Sequence, residues 1–198
     1  MAPPRKHDTD VILDAARTLV LRDGPRAASV AAIAEASGAP VGTLYHRFGN
    51  RNGVLTAAWI RALERFQTRV LAAAETGAED PVEAAVAMCT AAVSFGREFL
   101  DDARLLLDLR PSDLLDGAPD TDFRERLATM NAPLIAHLQR MAEGIYGAAT
   151  PREIDAVARA VVDLPYSALR RHAREESLPA WLDADIVAAA RTLLSAPL

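Results

Sequence analysis

The sequence predicts an all-α protein. Apolar residues recur three and four positions apart along most of its length, and no alternating apolar and polar stretch indicates a strand. Glycine and proline fall between these periodic stretches, at the points where helices end. Hydrophobic residues make up 51% of the 198 residues, which is enough for a sizeable core. No run reaches the roughly 18 consecutive apolar residues that a membrane-spanning helix needs.

The N-terminal part of the chain predicts three short helices. The first spans Asp10–Arg22 and ends before a Gly-Pro pair. Ser29 is a favourable N-cap for the second helix, and Gly38 ends it. The third helix spans Val41–Phe48, and its Leu44 is expected to face the core. The two short helices with a tight turn between them are typical of a helix-turn-helix.

A long fourth helix and a fifth helix follow. The fourth is predicted from an Asn50 cap to Gly77, although Gly53 in its first turn costs about 1 kcal/mol relative to alanine. Asp80, followed by proline, predicts the start of the fifth helix. A short apolar segment, Leu105–Leu109, precedes a stretch rich in proline and glycine, Pro111–Thr121, which is predicted to be a loop.

Three further helical stretches complete the predicted fold. An apolar stripe from Phe123 to Ile145 contains Pro133, where we expect a kink. Thr150 begins a capping box for the next helix, in which Pro165 predicts a second kink. Asp183 is expected to cap the last helix.

Charge and cysteine content constrain the partners and the compartment. The net charge is −5, divided into +2 over residues 1–51 and −7 over the rest, which is compatible with DNA binding but weak evidence for it. Cys89 is the single cysteine, so no internal disulfide forms, and it is expected to be a small buried hydrophobe. The start of the sequence lacks the apolar run of a secretory signal, which predicts a cytoplasmic protein.

The third predicted helix has the residue types that read DNA. Val41, Gly42 and Thr43 at its N-terminal end are small enough to let the helix approach base edges. The polar tips of Tyr45 and of the adjacent His46 and Arg47 can reach phosphate oxygens. Arg51 adds a cation at the start of the fourth helix, where the helix dipole already favours an anion.

This segment closely resembles the DNA-binding domain of the TetR/AcrR family of bacterial transcriptional regulators. The resemblance rests on Ile33-Ala34, on Gly38, on the run Gly42–Phe48 and on Asn50-Arg51 before a long helix. It implies a helix-turn-helix DNA-binding domain over residues 1–50 and an α-helical ligand-binding and dimerisation domain over 51–198. Ser29 stands where this family usually has threonine, which preserves the cap.

The resemblance also implies three sets of site residues. The residues expected to contact DNA are Ser29, Pro40, Val41, Gly42, Thr43, Tyr45, His46, Arg47 and Arg51. Those expected to line a ligand cavity are Trp59, Met88, Phe95, Phe99, Asp108, Met130 and Tyr166. Those expected in a dimer interface on the last two long helices are Ile154, Val157, Val161, Ile186, Val187 and Leu194.

The function expected from these features is that of a ligand-responsive repressor. It would bind a palindromic DNA operator as a homodimer and be released by a small apolar effector. Whether the output is repression or activation stays open at this stage. The sequence has neither metal-ligand spacing nor a phosphate loop nor a nucleophile motif, so we expect no cofactor, no metal and no catalysis.

Two alternatives also fit a helical chain of this kind. One is a helical-bundle ligand-binding protein or enzyme with a vestigial DNA-binding head. The other is a protein-interaction module that docks a partner on one helical face.

Overall fold

A computed structural model describes residues 8–76, 79–117, 121–175 and 177–198. In these ranges the regular structure is entirely helical. A 3₁₀ turn lies at Pro25–Ala27, and a π-helical turn lies at Arg159–Asp163. The α-helices are α1 Thr9–Asp23, α2 Val30–Ser37, α3 Val41–Phe48, α4 Arg51–Thr76, α5 Pro81–Glu98, α6 Leu100–Asp108, α7 Pro111–Leu114, α8 Thr121–Tyr146, α9 Pro151–Ala158, α10 Leu164–His172 and α11 Leu182–Leu194.

Most predicted helix starts are confirmed by the capping contacts. The Ser29 hydroxyl accepts a hydrogen bond from the Ala32 N–H at 3.1 Å, and the Asn50 side chain accepts one from the Gly53 N–H at 2.9 Å. Thr150 begins a capping box with Glu153. These side chains bind backbone N–H groups that have no partner inside the helix, and so fix where each helix begins.

Three expectations differ from the structure or lie outside it. Asp183 does not cap the last helix, because α11 begins one residue earlier and the Asp183 carboxylate binds Arg97 at 2.6 Å. The predicted loop contains α7, whose Leu114 is buried in the core. Gly77, the expected end of the fourth helix, lies outside the described residues.

The first core joins α1, α2 and α3 to the N-terminal half of α4. Ile12, Ile33 and Leu44 are each fully buried there. Burying a side chain of this size stabilises the fold by about 1.5–3 kcal/mol relative to leaving it in water. Leu105 of α6 and Phe123 of α8 also pack in this core. The core therefore extends beyond the N-terminal helices α1, α2 and α3 (the head) into the helices that follow (the body).

The second core joins the C-terminal half of α4 to α5, α8, α9 and α11. Cys89 of α5 is fully buried in it, as expected. Because α4 supplies residues to both cores, the two predicted domains share this helix. The domain boundary at residues 50 and 51 stays a prediction.

The π-helical turn lies just before Pro165. Proline has no N–H, so it cannot donate to the carbonyl five residues back, that of Ala160. The Cys89 thiol lies 3.6 Å from that carbonyl and donates to it instead. A π-turn thus precedes the proline at which the sequence predicts a kink, and the Cys89 thiol binds the carbonyl that Pro165 leaves without a donor. At Pro133, by contrast, α8 continues as a helix on both sides.

Candidate nucleic-acid interface and cavity

Helix α3 has one buried face and one exposed face. Leu44 has no exposed surface, whereas Val41 is 42% exposed and Tyr45 is 53% exposed. Gly42 and His46, one position further along the helix, are also exposed. Residues four apart lie above one another on a helix, so these four form one continuous outward surface.

A tight turn separates α2 from α3. Gly38 ends α2 in the left-handed conformation, with φ of 68°, which glycine adopts without a steric penalty. Pro40 is exposed and precedes the helix, and its carbonyl accepts a hydrogen bond from the Thr43 N–H at 2.8 Å. Ser29 uses its oxygen as the α2 cap and keeps its own hydroxyl proton for another acceptor.

The two arginines expected at the DNA are both held by the protein. Arg47 is half-buried, and its Nη1 donates to the Thr9 hydroxyl at 3.1 Å. Arg51 donates to the backbone carbonyls of Pro25 and Ala28, and it pairs with the Asp116 carboxylate at 3.0 Å. Arg51 thus ties α4 to the turn after α1. Its phosphate contact stays a prediction, and such a contact would require Arg51 to give up some of these hydrogen bonds.

A cavity of about 210 Å³ lies in the body, with walls from α4, α5, α6, α8 and the segment around the π-turn. Its lining is almost wholly apolar. The lining residues are Trp59, Leu63, Phe66, Val70, Met88, Ala92, Phe95, Ala103, Leu106, Leu107, Leu134, Val161, Val162, Pro165, Tyr166 and Leu169.

Four of the seven predicted ligand residues line this cavity: Trp59, Met88, Phe95 and Tyr166. The other three do not. Phe99 packs on Phe95 and lies under the guanidinium groups of two arginines of α4. Asp108 and Met130 are partly buried elsewhere, and Met130 packs against the first core.

Several lining residues were not predicted. Phe66 and Val70 repeat on the same apolar stripe of α4 as Trp59, so helical periodicity could have identified them. Leu106 and Leu107 lie on α6, and Val162 lies in the π-turn. The sequence does not show which apolar residues of these segments line a cavity and which pack against a neighbouring side chain.

Helix α6 connects the cavity to the N-terminal head. Its Ala103, Leu106 and Leu107 line the cavity. Its Asp102 is only 1% exposed, and it pairs with Arg17 of α1 and with Arg65 of α4, the latter at 2.9 Å. One short helix therefore contacts both a ligand-sized void and the helix that supports α2 and α3.

The N-terminal part of the chain is similar to a known family of proteins. Residues 12–58 match the family model described as bacterial regulatory proteins, tetR family. This segment includes α2, α3 and the first turns of α4. The chain thus contains an N-terminal segment that matches the tetR family model.

Individual relatives and solved structures extend the comparison. The HTH-type transcriptional repressor ComR of Escherichia coli is 38% identical over 66 residues, which are 33% of this chain and 31% of ComR. The match thus spans about a third of that relative. A TetR-like transcriptional regulator from Rhodococcus sp. RHA1 is 18% identical, with a TM-score of 0.73 over 98% of this chain and 100% of the other.

A second solved structure, the transcriptional regulator FadR of Bacillus subtilis in complex with stearoyl-CoA, has the same fold. It is 16% identical, with a TM-score of 0.71 over 95% of this chain and 98% of FadR. At this identity the likeness establishes the fold, which covers the body as well as the head.

Four of the six residues expected in a dimer interface are buried within the chain itself, and the dimer contacts of all six stay a prediction. Val157, Val161, Ile186 and Leu194 are at most 5% exposed within the single chain, so their side chains pack in its own core. Ile154 and Val187 are partly exposed. The large apolar side chains that these helices leave exposed include Val162 and Leu193.

Two kinds of site are absent from the described residues. No group of three or more histidine, cysteine, aspartate or glutamate side chains there is placed to hold a metal ion. No described helix combines the length and the hydropathy of a membrane span.

Proposed function

We propose that this protein is a ligand-responsive repressor of the tetR family. Two copies bind a palindromic operator, and a small apolar molecule in the cavity of the body releases them. The observation that supports this most directly is the orientation of α3, whose Leu44 is buried while Val41, Gly42, Tyr45 and His46 face outward.

The outward face of α3 fits the major groove. Gly42 has no heavy atom near the position of a Cβ, so the backbone there is open to a base edge. Thr43 and Tyr45 supply hydroxyl groups for bases or phosphates, and Val41 supplies an apolar surface for a thymine methyl. Ser29, at the start of α2, and His46, on α3, would bind phosphate oxygens. Base contacts of this kind give the protein its preference for one DNA sequence, whereas phosphate contacts fix its position on the duplex.

Release by a ligand follows from the position of α6. A molecule that fills the cavity contacts Leu106 and Leu107, on the helix whose Asp102 pairs with Arg17 of the head. If the ligand binds more tightly to an arrangement in which the two heads no longer match the operator, it lowers the affinity of the protein for DNA. The decrease is limited by the ratio of the ligand's affinities for the two arrangements. A coupling of roughly 1–3 kcal/mol lowers the affinity about 5- to 150-fold.

The names of two relatives support this proposal. ComR, which resembles the head, is named a transcriptional repressor. FadR of Bacillus subtilis, which has the fold of the whole chain, binds stearoyl-CoA, a ligand with a long apolar chain. The present chain offers an apolar cavity within the same fold. A repressor of this kind acts in the cytoplasm, where the chromosome is.

The test is a DNA-binding titration at fixed salt with the promoters of its own gene and of neighbouring genes. We expect one promoter to bind at least about 1,000-fold more tightly than unrelated DNA. Tyr45→Ala is expected to lower that affinity about 5- to 150-fold, with no loss of folded structure. Ile135→Ala is the matched control, because Ile135 is similarly exposed on α8, away from the head.

Binding that shows no preference for any promoter, or that is unchanged by Tyr45→Ala, would contradict the repressor proposal. Turnover of a small molecule that survives both Tyr45→Ala and Thr43→Ala would favour the helical-bundle enzyme instead.

A further inference from the structure

The polar groups of the cavity wall are already engaged. Among the described lining residues, two side chains have an N–H or O–H group, Trp59 and Tyr166. The Trp59 indole N–H donates to the Leu109 carbonyl at 3.2 Å, and the Tyr166 hydroxyl donates to the Leu107 carbonyl at 3.2 Å. Both carbonyls belong to the C-terminal end of α6, where backbone acceptors have no partner inside the helix.

What remains for a ligand is a hydrogen-bond acceptor. An indole N–H is a donor only, so Trp59 has nothing left to offer. The Tyr166 oxygen keeps its lone pairs and can accept from a ligand O–H or N–H. A carboxylate or phosphate would lose its water and could gain a donor only by taking the Tyr166 hydroxyl from the Leu107 carbonyl, which is unfavourable. A ligand whose only polar atom is an acceptor meets the same lack of a donor, at a smaller cost.

The size of the cavity limits the ligand further. An apolar cavity of about 150 Å³ engineered into another protein holds benzene. The present cavity, of about 210 Å³, is somewhat larger, and aromatic side chains from α4, α5 and α10 contribute to its wall. A ring with a short substituent matches this volume.

We propose that the cavity selects uncharged molecules of about the size of a substituted ring that have one hydroxyl or N–H group, which donates to the Tyr166 oxygen. The inference deepens the proposed function and depends on it for the regulatory meaning of binding. Tyr166 is then the residue that determines specificity, and the other lining residues supply apolar contact.

Calorimetric titration of the full chain near pH 7 with three matched probes tests this inference. Para-propylphenol is neutral and has a donor, para-propylanisole is neutral without one, and para-propylbenzoate is an anion. We expect the phenol to bind about three- to tenfold more tightly than the anisole, and at least about 100-fold more tightly than the benzoate.

Two variants identify the residue responsible. Tyr166→Phe is expected to narrow the difference between the phenol and the anisole, because the Tyr166 oxygen is gone while the ring remains and only the freed Leu107 carbonyl is left as an acceptor. Tyr146→Phe is the matched control, since the Tyr146 hydroxyl also donates to a backbone carbonyl, that of Leu194 at 3.2 Å, but does not line the cavity. This control is expected to keep the preference for the phenol.

Several results would overturn the inference: no binding of the phenol, benzoate binding as tight as that of the phenol, or an unchanged preference for the phenol in Tyr166→Phe. Operator binding measured without any probe decides the proposed function separately. A protein that binds its operator but prefers the benzoate would refute the ligand class alone, whereas one that prefers the phenol but binds no DNA would refute the repressor alone.

Discussion

Arg17 of α1 forms an ion pair with the buried carboxylate of Asp102 on α6. The second oxygen of Asp102 accepts a hydrogen bond from Arg65 of α4 at 2.9 Å. One carboxylate thus holds together the head, the shared helix and the wall of the cavity. Removing one member of such a cluster leaves buried charge without a partner.

We therefore expect Asp102→Asn to lower the free energy of unfolding by about 2 kcal/mol, measured by urea denaturation. This value lies below the usual range for a buried pair because the Arg65 side chain is 34% exposed and partly solvated. Asp101→Asn is the control, since that carboxylate is 49% exposed and its loss is expected to cost less than about 0.5 kcal/mol. Equal effects of the two variants would mean that Asp102 does not connect the helices.

Gly53 gives a second prediction, about the junction of α3 and α4. A Cβ at this position would lie 1.9 Å from the Phe48 carbonyl oxygen, so no larger residue fits without moving the end of α3. We expect Gly53→Ala to destabilise the head and weaken operator binding, although alanine favours a helix by about 1 kcal/mol. Thermal unfolding and a DNA titration of the same samples measure both effects.

Gly42→Ala is the control for the stability part of that prediction, which thermal unfolding measures. It adds the same methyl group to a helical glycine, but no heavy atom lies within 4 Å of the new Cβ. We expect its stability to be unchanged or up to about 1 kcal/mol higher. If Gly53→Ala behaved the same way, the close approach at Phe48 would not constrain the junction.

Cys89 gives a prediction about alkaline pH. Burial raises the pKa of its thiol from 9.0 to about 12, so the folded protein keeps the proton while the unfolded chain loses it above pH 9. The unfolded state then binds fewer protons, and the free energy of unfolding falls with rising pH by up to about 1.4 kcal/mol per unit. Between about pH 8 and pH 10 the wild type is expected to lose about 1 kcal/mol more than Cys89→Ala. Parallel losses in the two proteins would contradict a buried, protonated thiol.

Leu193 gives a prediction about the homodimer. This residue is 43% exposed on α11, whereas Ile186 and Leu194 of the same helix are buried in the chain itself. If the outer face of α11 meets a second copy, Leu193→Arg places a charge in an apolar interface and shifts the mass in solution toward 21.2 kDa. Ile135→Arg, on the exposed face of α8, is expected to leave the dimer intact. If sedimentation gives the same mass for the two variants, the dimer interface does not lie on the outer face of α11.

The head could be predicted closely from sequence because its determinants are local. Gly38 and Gly49 end the two short helices, Ser29 caps one of them, and the three- and four-residue spacing identifies Leu44 as a core residue. Each of these signals acts within a few residues of the element that it shapes.

The body could be predicted less well because its determinants are tertiary. Periodicity marks Val161 and Ile186 as buried, but it does not say whether their own chain or a partner covers them. Arg51 looks like a free cation at a helix start, yet the carbonyls of Pro25 and Ala28 that bind it come from a distant turn. The thiol that binds the Ala160 carbonyl of the π-turn likewise comes from another helix, at Cys89.

The most direct test of the central claim is a footprint of the protein on its operator. Two copies with α3 in successive major grooves are expected to protect two patches on one face of the duplex, about 34–36 Å apart. Tyr45→Ala is expected to raise the protein concentration needed to protect both patches about 5- to 150-fold. Protection of a single patch, or protection that Tyr45→Ala leaves unchanged, would contradict the claim that the outward face of α3 reads DNA.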